Sequence, residues 1–423
     1  MPPGPLSRRD LLLAATAFAA GSVPADTLAR PRVAKAHDTR SSTRIDAALR
    51  AATKSTPGIV AMAATDAGVM YEGAFGVRRL GAAPTMTLNT VFRIASMVKP
   101  VTSVAAMQLV EQGKLALDGP IPDINPALTT PQVLYGFDSS GVPQLRPAKR
   151  PITLRHLLTQ TAGFSYTLWD STALRYAQTL AKLPANSSTP RTPLMFDPGD
   201  RWAYGSGTDW VGHIIEAISD QPLDSYFRKH ILDPLGMTDT CFVASPEQLA
   251  RAASAHSRLP DGSVEPQPMK SQSKLRSYAN GGLYSTAPDY LTFVRMLLHG
   301  GSFNGNRILQ PETVALMGQN HIGTLEAGVM KTTNPALSND VNFFPGISLK
   351  WGLGHMINMQ PGPDGRSAGS LTWAGLFNTY YWIDPTRRLA AVLMTQILPF
   401  ADHAVLRIYR EFERGIYGLL RAI

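Results

Sequence analysis

The chain has 423 residues, 44% of them hydrophobic and 17% charged, which supplies apolar material for a large core and excludes a disordered protein. Its formal charge of +9 points toward an anionic partner, but no dense Lys/Arg run with interleaved aromatics appears, so no nucleic-acid partner is expected. The single cysteine, Cys241, excludes an internal disulfide and a cysteine-built zinc site.

In chain order, Ser7-Arg8-Arg9-Asp10-Leu11-Leu12-Leu13 opens an Ala-rich apolar run to Val23. Its length, about 13 residues, suits a signal peptide better than a membrane span. The paired arginines resemble a twin-arginine export signal. The expectation is a leader over 1–25 read by twin-arginine export machinery, an unstructured lead-in over 26–40, no stable membrane insertion, and a periplasmic or secreted mature protein. Ile45 to Ala52 then has helical spacing. Ile59 to Ala64 and Val69 to Val77, separated by Thr65-Asp66-Ala67-Gly68, predict a hairpin. Helical stretches follow at Ile152–Thr159, Asp209–Ser219, Leu223–Ile231 and Pro288–Leu298, joined by Pro/Gly-rich loops. A second hairpin is predicted from Thr379–Ile383 and Leu389–Thr395, and an amphipathic helix from His403 to Leu420. Strands thus cluster at both ends. The expected fold is α/β (α+β), with a sheet domain from 41–115 and 305–423 and an inserted, mostly helical domain over 116–304.

Chemistry concentrates in Phe92-Arg93-Ile94-Ala95-Ser96-Met97-Val98-Lys99-Pro100. A serine hydroxyl is a poor nucleophile at neutral pH and needs a neighbouring base. An apolar periodic run begins at Ser96, which places it at a helix N-terminus with Lys99 on the same face one turn later. Pro100 fits there, because the first helical N–H groups have no intrahelical acceptor. The positive helix end favours negative charge developing on an attacked carbonyl. A second Ser-x-x-Lys copy, Ser271-Gln272-Ser273-Lys274, has no apolar helix behind it. Tyr204, delivered by Phe196-Asp197-Pro198-Gly199-Asp200-Arg201-Trp202-Ala203, is a candidate proton relay, with Tyr278-Ala279-Asn280 as a competing copy.

Pro57-Gly58-Ile59-Val60, the segment from Ser96 to Lys114, Leu157-Leu158-Thr159-Gln160-Thr161-Ala162-Gly163, Pro198-Gly199-Asp200 through Tyr204-Gly205-Ser206, and Gly281-Gly282-Leu283-Tyr284-Ser285-Thr286 occur in one order. Together they resemble the class C β-lactamase and penicillin-binding-protein superfamily, over residues 45 to 400. The resemblance implies an antiparallel sheet flanked by helices, the nucleophile Ser96 with Lys99, and Tyr204 in the Tyr-x-Asn motif. Ser206 stands where β-lactamases carry Asn, and Trp373-Ala374-Gly375 where they carry Lys-Thr-Gly on a strand edging the cleft. Losing that lysine removes a cation suited to a substrate carboxylate, and an indole favours an apolar group. These variants are similar to family VIII carboxylesterases, which implies ester hydrolysis of short-chain acyl groups through an acyl-enzyme. The resemblance further implies an oxyanion hole from the backbone N–H groups of Ser96 and Leu376. It makes Tyr166, Ser206, Trp373 and Gly375 substrate-binding positions, and it implies no metal and no cofactor.

A β-lactamase proper, or a D-amino peptidase with transesterase activity, shares the scaffold and stays the main alternative. A Ser-His-Asp hydrolase is disfavoured because no Gly-x-Ser-x-Gly is found, and a zinc peptidase because no His-Glu-x-x-His is found. A non-enzymatic binding protein is disfavoured by the intact Ser96, Lys99 and Tyr204.

Overall fold

A computed structural model describes residues 39–183, 189–268 and 281–422. The expected leader, the Ser271–Lys274 copy and Tyr278-Ala279-Asn280 lie outside the described residues. No described helix is long and apolar enough to cross a membrane.

Seven strands form one antiparallel sheet: β1 (Gly58–Thr65), β2 (Gly68–Gly76), β3 (Leu349–Trp351), β4 (Met356–Asn358), β5 (Leu371–Gly375), β6 (Thr379–Asp384) and β7 (Leu389–Met394). Their spatial order is β3-β4-β5-β6-β7-β1-β2, so the N-terminal hairpin pairs with the C-terminal strands through β1 and β7. Both predicted hairpins form. β6 and β7 read as continuous apolar runs and are buried at every position, because helices cover both faces of the sheet.

One face is covered by α1 (Thr39–Ala52) and α6 (His403–Ala422), which pack on each other. Their approach is close: a Cβ on Gly415 of α6 would stand 2.7 Å from Ile45 Cγ1. Phe412 of α6 meets Trp382 and Tyr71, with ring centroids 5.6 and 5.7 Å away. The other face receives α5 (Ala287–Leu298), which packs on β1, β6 and β7. Its sequence position falls inside the segment expected to belong to the helical insert, yet its apolar face, with Tyr290, Phe293 and Val294 buried, lies against the sheet. Helix α2 (Val98–Glu111) is buried at nearly every position, the signature of a helix surrounded by protein. It contacts α4 (Gly207–Ser219), which in turn packs on α3 (Leu154–Leu158).

β4 pairs with β5 only through Leu371 and Thr372. Trp373-Ala374-Gly375 is therefore left as a sheet edge on that side, beside the turn that carries Ser96.

Candidate active site

Ser96 lies in a tight 3₁₀ turn, Ala95–Met97, between a two-residue strand at Phe92–Arg93 and α2. Ala95 has φ of +45°, a left-handed conformation that alanine adopts at a cost and that persists only where its surroundings impose it. The surroundings do impose it. The Ile94 N–H donates to Leu283 O at 3.0 Å, the Gln396 side chain bonds both the N–H and the carbonyl of Arg93, and the Tyr290 hydroxyl donates to Met97 O at 2.8 Å.

Lys99 follows one turn later and is 1% exposed. Its Nζ donates long hydrogen bonds of 3.4 Å to Ser96 Oγ and of 3.4 Å to the Tyr166 hydroxyl. The same ammonium or amine lies 4.9 Å from the Tyr204 ring centroid and 5.4 Å from that of Tyr166. The helical spacing of Ser96 and Lys99 thus brings them together as expected, with two phenols packed around the amine. Tyr204 is buried, and its hydroxyl oxygen accepts a 3.0 Å hydrogen bond from Trp373 Nε1.

The backbone around Tyr204 is clamped by Gln160. This residue is 4% exposed and has φ of +61°. Its carbonyl accepts from the Ala203 N–H, its Oε1 accepts from the Gly205 N–H at 3.0 Å, and its Nε2 donates to Thr208 Oγ1. Gly205 is required at this crossing, since a Cβ there would stand 1.9 Å from Phe164 O. Gln160 was missed as a site residue in the sequence. It lay within the Leu157–Gly163 segment that carries the family resemblance, as a polar residue between two threonines just past the helix end, but its partners lie more than 40 positions away.

Gly375 ends β5 against the nucleophile turn. A Cβ there would stand 2.2 Å from Ile94 O, so the role of this glycine is to let the strand edge approach the turn. Leu376 follows it and lines the same cleft as Ser96. The cleft has a volume of about 290 Å³; Tyr166, Trp169, Leu376, Phe377 and Phe400 contribute most of its apolar wall. Tyr204 and Trp373 reach it as well, although Trp373 is only 2% exposed. Ser206 is not among the residues lining it; it is the residue just before α4, half-buried. Among the described residues no Asp, Glu, Lys or Arg lines the cleft, and no cluster of three or more His, Cys, Asp or Glu could hold a metal.

A serine and a lysine one helical turn apart, opening on an apolar cleft at the edge of an antiparallel sheet, form the arrangement of a serine hydrolase. The β-lactamase family model matches residues 44–415, and the chain belongs to this family of β-lactamase and penicillin-binding-protein-like serine hydrolases. It is 31% identical to ML-236A carboxylate methylbutanoyltransferase of Penicillium citrinum, over 89% of this chain and 94% of that protein. It is also 31% identical to lovastatin esterase of Penicillium rubens, over 82% of this chain and 90% of the relative. Unliganded simvastatin synthase from Aspergillus terreus superposes with a TM-score of 0.75 at 30% identity, over 90% of this chain and 99% of that one.

Proposed function

We propose that this enzyme cleaves carboxylic esters of small acyl groups through an acyl-enzyme on Ser96. The observation that carries the reading is the buried Lys99 amine, set between the Ser96 hydroxyl and the Tyr166 phenol, beneath a cleft whose described lining residues are all uncharged. Lys99 takes the Ser96 proton as Oγ attacks the ester carbonyl carbon. The resulting oxyanion is held by the backbone N–H groups of Ser96 and Leu376. The carbon–oxygen bond to the alcohol then breaks, and the alcohol leaves with a proton passed from Lys99 through Tyr204. Water attacks the acyl-enzyme with the same pair as base, which frees the acid and restores Ser96.

A second reading, transfer of the acyl group to an alcohol instead of water, is favoured by one observation. The cleft wall is aromatic and aliphatic, which disfavours water and accommodates an apolar acceptor. Relatives named as a methylbutanoyltransferase and as an esterase support both outcomes. Turnover of a β-lactam finds less support, because Trp373 stands where a carboxylate-binding lysine would be needed.

Parallel assays on p-nitrophenyl butyrate and a chromogenic cephalosporin test the proposal. The ester is expected to turn over far faster, and adding a primary alcohol is expected to divert product from acid to the new ester. Efficient turnover of the cephalosporin with no ester cleavage would overturn it.

A further inference from the structure

We infer that Trp373 is a positioning residue that acts on catalysis through Tyr204, rather than a wall of the substrate site. The inference rests on the role proposed for Tyr204. An indole carries one donor and no acceptor, so the 3.0 Å contact has a single polarity: Trp373 Nε1–H donates and the phenol oxygen accepts. Among the described residues this is the only hydrogen bond made by the Tyr204 hydroxyl. Occupying one lone pair of the oxygen leaves its proton and the other lone pair for partners other than the indole, and the Lys99 amine lies 4.9 Å from the centroid of the same ring.

The donor is rigid. Trp373 meets Trp351 edge-on at 4.6 Å and Phe343 at 6.2 Å, contacts the Tyr204 ring at 4.8 Å with the planes tilted by 57°, and pairs with Tyr381 in the β5–β6 ladder. Two per cent exposure leaves little of the indole to touch a substrate. The substitution of tryptophan for lysine at this position thus keeps an N–H donor beside the phenol while removing a charge.

The test compares Trp373→Phe with an enzyme carrying 3-benzothienylalanine at position 373, whose sulfur replaces the N–H at nearly unchanged shape. Steady-state kinetics on p-nitrophenyl butyrate are read per Ser96 site, titrated with a covalent serine probe. Loss of one buried hydrogen bond to a reacting group is expected to lower kcat about 10- to 100-fold in both enzymes. KM is expected to stay within about 2-fold, because the interaction is not one of substrate binding. Wild-type kcat in the benzothienylalanine enzyme would reduce Trp373 to packing and overturn the inference. A raised KM at unchanged kcat would restore it as a substrate wall and overturn the inference equally. If Trp373→Phe does not fold, the isosteric enzyme decides alone. Tyr204→Phe separates the two levels: full activity there would sink the role of Tyr204 itself. Loss of activity there, with wild-type kcat in the isosteric enzyme, would sink only the inference on Trp373.

Discussion

At the scale of single residues, the site depends on positions where no side chain fits. Gly375 lets the end of β5 reach Ile94, with its would-be Cβ also 2.3 Å from Thr379 Oγ1. Gly375→Ala is expected to push the strand from the nucleophile turn, costing about 1–3 kcal/mol in stability. Ester turnover is expected to fall with it. Gly418→Ala on α6 is the contrast: its Cβ would enter open space, and the change is expected to stabilise the helix by about 0.5–1 kcal/mol. Thermal melts and kcat/KM of the two variants check both; equal behaviour would contradict the close-approach argument. The pairing of Ser96 with Lys99 was legible in the sequence because helical periodicity is a local property. The contacts of Lys99 with Tyr166 and of Trp373 with Tyr204 were not, since they join positions 67 and 169 residues apart. Trp373 read as an apolar wall for the same reason: its donor finds a partner only in the folded chain.

Elements differ in how much pattern they carry. The two long hairpins were legible as apolar runs on either side of turn residues, and α6 because it spans enough residues to show a helical period. β3 and β4 hold three residues each, too few to separate from loop, β5 with five was expected only through the family resemblance at Trp373-Ala374-Gly375, and the two-stranded unit Gln132–Phe137 with Pro143–Pro147 was unpredicted. Among these short strands lies a pH-sensitive element. His355, at the turn between β3 and β4, is 1% exposed, and its Nδ1 bonds the Tyr381 hydroxyl at 2.8 Å while Nε2 is buried without a partner among the described residues. Burial pushes its pKa down to about 4 from the usual 6.5. The unfolded chain therefore binds the proton first, so stability is expected to fall as pH drops from about 6.5 toward 4. Denaturant titrations across that window are expected to show a smaller decline in His355→Gln. An identical decline in the variant would contradict the assignment to His355.

The described chain joins its N-terminal hairpin and its C-terminal strands in one sheet and holds the site beside the partly unpaired β5, where strand, central helix and loops meet. The interior also holds a buried ion pair, Arg366 against Glu413, with Nη2 and Oε2 2.7 Å apart and the Tyr409 hydroxyl beside them. That pair ties the loop before β5 to α6, so the strand carrying Trp373 and Gly375 is anchored from behind. The cleft is apolar while the chain as a whole is basic, which separates surface charge from substrate choice. The family was legible because its motifs recur in order along nearly the full chain, whereas the substrate depends on cleft shape built by distant loops. The most direct test of the account is peptide mapping after labelling with a covalent serine-reactive phosphonate. The account predicts stoichiometric labelling at Ser96, lost in Ser96→Ala and retained in Ser271→Ala. Labelling at another serine, or none in folded enzyme, would contradict it.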